Sequence, residues 1–152
     1  MDWKLELVVV PVSDVDRAKH FYADLLGFNV DVDHSPSEEF RVVQLTPPGS
    51  ACSITIGKGL TEAVPGTLKG LQISVADIDA ARAELAERGV DVSPVRHFTG
   101  AAQSEDAWAA PGWEEGKGGD WNSFFFFNDP DGNGWAVQES PTLRAEAEAG
   151  TA

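Results

Sequence analysis

The feature that most constrains this chain is that its first half is written again in its second. Val8, Val10, Val12, Asp14, Asp16 and Ala18 recur at a constant offset as Leu71, Ile73, Val75, Asp77, Asp79 and Ala81. After a one-residue slip, Gly27 and Val30 recur as Gly89 and Val92. Each copy opens on an apolar run, "LELVVVPV" at 5–12 and "LKGLQISV" at 68–75, whose composition and alternation predict a strand. A segment with helical period follows, with Val15, Ala18, Tyr22, Leu25 and Leu26 on one face and Ile78, Ala81, Leu85 and more loosely Ala86 on the other copy's. Asp14 and Asp77 stand where an N-cap carboxylate accepts the free amides of a first turn, and Gly27 and Gly89 where a left-handed residue ends a helix. Short extended pieces, "FNVDV" and "VDVSPV", lead into two hairpins, "FRVVQLTPPGSACSITIG" and "FFFFNDPDGNGWAVQES", each with a proline ahead of a glycine at its turn. The predicted unit is βαβββ, twice, and the class is α+β.

The 152 residues suit one domain over 1–139, with repeat one at about 3–60 and repeat two at about 66–139. Two segments depart from the repeat. A Gly- and Ala-rich insertion over 96–123 carries Trp108, Trp113 and Trp121 and reads as a lid-like loop. The charged, Ala-rich end over 140–152 reads as a flexible tail. A single cysteine, Cys52, excludes an internal disulfide framework and a thiolate-rich metal site. The formal charge of -14 repels phosphate backbones, so nucleic acid is not an expected partner. No apolar run reaches the roughly 20 residues of a membrane span, and the N-terminus lacks the pattern of a signal peptide, so a cytoplasmic protein with no membrane partner is expected.

The tandem repeat, with "VPVSDVDRAKHFYADLLGF" opening the first half and "NDPDGNGWAVQE" closing the second, resembles the vicinal oxygen chelate superfamily of glyoxalase I, bleomycin-resistance proteins and extradiol dioxygenases. The resemblance spans about residues 3–139 and implies curled half-barrel sheets around a cavity. In enzymes of that superfamily His, Glu or Gln side chains on inward strand positions hold a divalent metal. The matching positions here are Leu7, Ser53, Gly70 and Ala136. Leucine, glycine and alanine bring no side-chain donor, so no metal and no cofactor is expected. Glu139, three positions from Ala136, is expected to face away from the cavity.

If the four positions point inward, alternation brings in Val9, Thr55, Gln72 and Gln138, giving a small, uncharged wall with two amides that can orient a ligand. Of the four phenylalanines, one alternate pair packs beneath the helices and the other lines the cavity; Phe125 and Phe127 are assigned to the cavity, with Trp108, Trp113 and Trp121 from the insertion. His20 and His34 read as surface residues. His97 is the one weak candidate for acid-base work, without a paired carboxylate in the sequence. The favoured expectation is a metal-independent protein of the bleomycin-resistance type that binds a small molecule, an aromatic or cationic metabolite or drug, as a homodimer. The alternative is a glyoxalase-like lyase, isomerase or dioxygenase with a relocated metal, or a metal-free catalyst using His97, Gln72 or Gln138. A scaffold whose own phenylalanines fill the cavity is the third.

Overall fold

A computed structural model describes residues 1–100 and 112–150. The chain sorts into two compact units, Met1–Lys69 with Asp129–Asn133, and Gly70–Asn128 with Gly134–Ala152. Each adopts a mixed sheet with helical cover, so the expected α+β class holds; the first unit follows the order βαβββ, and the second follows it with one strand more, drawn from the insertion, and a helix after the last strand.

In the first unit, strand β1 (Leu7–Val9) leads to helix α1 (Val15–Lys19), which starts where predicted because the Asp14 carboxylate accepts the Arg17 N–H at 3.0 Å. From His20 to Leu25 the helix widens to π geometry, and the Leu26 N–H bonds back to the Phe21 carbonyl at 3.0 Å. A π turn holds one residue more than the α turn it replaces. That additional residue is the physical content of the one-residue slip between Gly27 and Gly89. It also turns both Phe21 and Tyr22 into the core, where a strict 3.6-residue period selects Tyr22 alone. Gly27 follows at φ +77°, as the C-cap assignment requires.

Strands β2 (Asn29–Ser37), β3 (Phe40–Thr46) and β4 (Ser53–Lys58) complete a sheet in the order β1-β4-β3-β2, with β1 parallel to β4 and the others antiparallel. His34, expected at the surface, lies near the end of β2, where it pairs with Val42. Register fixes the two faces. Val43, Leu45, Ile54 and Ile56 are buried on the face that meets α1, while Leu7, Val9, Gln44, Ser53 and Thr55 share the other. Arg41 bonds Asp33 at 3.0 Å and Asp16 at 2.8 Å, and Lys19 bonds Asp33 at 2.7 Å, tying β2 and β3 to the helix. The Arg41 and then the Lys19 hydrogen bonds hold the Asp33 carboxyl well below the usual carboxylate range.

The "NDPDGN" sequence does more than reverse the chain. Asp129 Oδ1 accepts the N–H groups of Asp131 and Asn133, both at 2.9 Å, and Asp129 Oδ2 accepts the buried Tyr22 hydroxyl at 2.8 Å. Asn133 Nδ2 donates to the Pro11 carbonyl at 2.8 Å, and its Oδ1 accepts the Leu68 N–H at 3.1 Å. These buried polar groups are satisfied by one another, which is the condition under which they can be buried at all.

In the second unit, β5 (Leu71–Val75) is followed by α2 (Ile78–Glu87), capped by the Asp77 carboxylate on the Ala80 N–H at 2.9 Å. β6 (Arg96–Phe98), β7 (Trp113–Glu115), β8 (Phe124–Asn128) and β9 (Gly134–Glu139) give the order β5-β9-β8-β6-β7. Both segments outside the repeat carry regular structure. Within the insertion β6 and β7 pair, His97 opposite Glu114. In the tail α3 (Pro141–Gly150) forms and packs on β5, its first turn capped by Ser140 Oγ on the Leu143 N–H at 3.2 Å.

Candidate functional site

Parity in the second sheet decides which aromatic residues share a face with Gln72, Ala136 and Gln138. Phe124 pairs with Gln138, Phe125 with Val137, Phe126 with Ala136 and Phe127 with Trp135, while Gln72 pairs with Ala136. Phe125, Phe127, Trp135 and Val137 therefore share the face that packs on α2, and Phe125 and Phe127 have no exposed surface. Phe125 and Phe127, expected on the side of Gln72, Ala136 and Gln138, are on the opposite face; Phe124 and Phe126 are the pair that shares the side of those three residues.

Trp113 from β7 builds this face further. Its ring makes edge-to-face contacts with Phe124 at 5.3 Å and with Phe126 at 5.2 Å, and a tilted one with Phe98 at 5.3 Å. Phe124 and Phe126 are parallel to within 2° at 6.3 Å. Edge-to-face and offset pairs at these separations each add roughly 0.5–1.5 kcal/mol beyond area burial. The result is an ordered aromatic surface.

Beside it lies an amide chain. Gln72 Nε2 donates to Gln138 Oε1 at 2.7 Å, and Gln138 Nε2 donates to the Trp121 carbonyl at 2.7 Å. A carbonyl only accepts, so Gln138 must present its NH₂ to Trp121 and its oxygen to Gln72, which in turn must donate. Gln72 Oε1 is thereby turned outward on an exposed residue. Trp121 has φ +62°, a left-handed conformation rarely held by a bulky residue, and its side chain is half exposed. Trp108 lies outside the described residues.

His97 is not part of this face. Arg96 pairs with Phe124 and Phe98 with Trp113, so alternation turns His97 and its partner Glu114 to the opposite side. His97 Nδ1 is 3.0 Å from the Gly116 carbonyl, and Nε2 is 3.8 Å from Glu114 Oε2, a structural setting for the ring.

Glu139 faces away from Gln138, as parity requires, and is 4% exposed. It accepts the Ile78 N–H at 3.0 Å at the start of α2, and pairs with Lys117 at 3.0 Å and with Arg144 of α3. Burial pushes its carboxyl up, but the Ile78 and Lys117 hydrogen bonds and the two cations outweigh that and hold it below the ordinary carboxylate value.

The face of the first sheet opposite α1 carries a second polar arrangement, of which Leu7, Val9, Ser53 and Thr55 were expected and Gln44, Thr46 and Asp31 were not. Leu7 and Val9 flank Ser53 and Thr55 as register partners, and Gln44 lies opposite Thr55. Gln44 Nε2 is 3.2 Å from Ser53 Oγ, Ser53 Oγ is 2.6 Å from Thr46 Oγ1, and Thr46 Oγ1 donates to Asp31 Oδ2. Thr55 is 4% exposed, and among the described residues its hydroxyl alone is a buried side-chain polar atom without a hydrogen-bond partner. Leaving such a group unpaired costs about 1–3 kcal/mol.

The positions matching the superfamily's metal ligands do not fit a metal. Leu7 and Ala136 carry no donor atom, Gly70 has no side chain, and the Ser53 hydroxyl is engaged by Thr46 and Gln44. Among the described residues no three His, Cys, Asp or Glu side chains are grouped so as to hold an ion.

A family model described as the Glyoxalase/Bleomycin resistance protein/Dioxygenase superfamily matches residues 4–137. The chain belongs to this superfamily. Among solved structures of the superfamily's fold, it is 31% identical to TnmS3, an antibiotic binding protein from Streptomyces sp. CB03234. That match covers 91% of this chain and 97% of the other, with a TM-score of 0.69. A glyoxalase/bleomycin resistance protein from the same organism is 32% identical over 89% of this chain and 99% of its own, at 0.65. A superfamily member from Sphaerobacter thermophilus is 26% identical over 91% and 98%, at 0.68. No functionally curated protein matches significantly.

Proposed function

We propose that this protein binds a small organic molecule without a metal, and that the aromatic and amide face of the second unit takes a planar, aromatic ligand. The observation that carries the reading is the grouping of Trp113, Phe124 and Phe126 beside the Gln72 and Gln138 amides on one sheet face. Flat rings supply dispersion and stacking area, and an outward amide oxygen supplies one directional acceptor. The likeness to an antibiotic binding protein supports a sequestering role over a catalytic one. The charge of -14 favours cationic aromatic ligands by long-range attraction. By resemblance the protein is proposed to act as a homodimer, which sedimentation analysis at micromolar concentration tests directly.

Isothermal titration with proflavine, a planar aromatic cation, tests the binding reading. Saturable binding that survives prior chelation and is weakened at least about tenfold by Trp113→Ala, about 1.4 kcal/mol, supports it. Stoichiometric metal in the purified protein whose removal abolishes binding contradicts it.

A further inference from the structure

The hydroxyl chain on the first sheet has a fixed direction. Thr46 Oγ1 commits its one proton to the Asp31 carboxylate, which as an anion can only accept. Ser53 Oγ must then donate its own proton to Thr46 across the 2.6 Å contact. With that proton spent, Ser53 can only accept from Gln44, so the Gln44 side chain must present Nε2 to it at 3.2 Å. An amide orientation that is ordinarily ambiguous is set by a carboxylate three side chains away. Gln44 Oε1 is consequently turned away from Ser53, and donation toward an anion polarises the amide and makes that oxygen a stronger acceptor.

Directly opposite Gln44 in register, on the same sheet face, is Thr55 with its buried unpartnered hydroxyl. Cβ atoms of such cross-strand neighbours are about 4.5–5.5 Å apart, a separation that one oxygen atom can bridge. Val9 and Leu7 border the pair with apolar surface on β1. Thr46, Ser53 and Gln44 have no other evident reason to be aligned on Asp31, and Thr55 has a hydroxyl where a valine fits the same strand.

We propose that Gln44 Oε1 and Thr55 Oγ1 form a recognition site on the first unit for a ligand hydroxyl, which donates to Gln44 and accepts from Thr55. Asp31, Thr46 and Ser53 are positioning residues that hold the Gln44 oxygen outward. None of the aromatic residues of the second unit takes part, so this site stands or falls independently of the aromatic reading.

The test is a methyl- and amide-resolved NMR titration of the full chain with two probes of matched shape, phenol and anisole, of which only phenol donates. The expected result is that phenol shifts the Thr55 and Val9 methyl signals and the Gln44 side-chain amide, and binds at least about tenfold more tightly than anisole. Gln44→Leu and Thr55→Val each remove the preference, Thr55→Ser retains it, and Asp31→Asn, which lets the chain reverse, reduces it. Equal affinity of the two probes for the parent protein, or shifts confined to Trp113 and Gln138 with Thr55 unmoved, overturns the proposal. The parent measurement and Thr55→Ser decide the question even if the larger substitutions unfold the protein.

Discussion

Replacing Glu139 should loosen the second unit at three places at once. Its carboxylate, 5% exposed by side chain, accepts the Ile78 N–H and pairs with Lys117 and Arg144, whose side chains are 45% and 42% exposed. Loss of a cap of this kind removes about 1 kcal/mol. The two cations are wet enough to rehydrate when the partner is gone, so each pair is held to about 0.5–1 kcal/mol and not to the larger figure for fully buried ions. Glu139→Ala should therefore destabilise by about 2–3 kcal/mol, lowering Tm by roughly 5–10 °C for a chain of this size. Glu139→Gln keeps an acceptor for Ile78 and should lose about half of that. The sign with pH follows from the lowered carboxyl. Stability from Glu139 is fully present above the unfolded value of 4.5 and is lost as pH falls through the lower folded value. Differential scanning calorimetry of the three proteins between pH 3 and 8 reads this. Glu139→Ala and Glu139→Gln melting together, or a gap to the parent that widens on acidification, refutes the reasoning.

Tyr22→Phe removes the hydroxyl from the buried Asp129 carboxylate and should lower stability by about 1.5–3 kcal/mol, read as a lower urea midpoint at unchanged slope. Gly27→Ala places a Cβ at φ +77° and should destabilise by about 1 kcal/mol in the same assay, whereas a change within about 0.3 kcal/mol contradicts the C-cap assignment. Asp33→Asn breaks contacts to Arg41 and Lys19 that are a quarter to a third exposed. It should cost about 1 kcal/mol, less in 1 M salt, by thermal melts at two ionic strengths. Chelation with EDTA should leave Tm unchanged; a fall of more than a few degrees would reveal a structural ion.

The repeat, the helix caps and both hairpins were legible because each rests on local chemistry: an aspartate before an amphipathic segment, a glycine after it, a proline and glycine at a reversal. The π turn was visible only as an unexplained slip, since a one-residue insertion in a helix leaves no compositional mark. Which phenylalanine pair shares a face with Gln138 was within reach of the sequence. Asn128 pairs with Gly134 across the five residues 129–133, and counting back from that turn sets Phe126 against Ala136 and Phe124 against Gln138. Alternation alone gives two faces and cannot say which is which. Gln44, Thr46 and Asp31 were out of reach because their alignment depends on cross-strand register and on an irregularity in β2 between Val30 and Val32. His97 looked available because a short strand in an insertion carries no parity signal until its partner is known. The helical tail was missed because its apolar face is thin and its support comes from packing on β5 and from the pair that Arg144 makes with Glu139, neither of which is visible locally.

The central claim is that Trp113 and its phenylalanine neighbours present a ligand surface. The most direct measurement is the indole Nε1–H region of an NMR titration with proflavine after metal removal, in which each tryptophan is assigned by substitution. The account predicts a saturable shift of Trp113, accompanied by the Gln72 and Gln138 side-chain amides, at unchanged affinity with and without chelator. A titration that moves only Trp3 or Trp135, or that leaves all three groups in place while proflavine binds elsewhere, contradicts it.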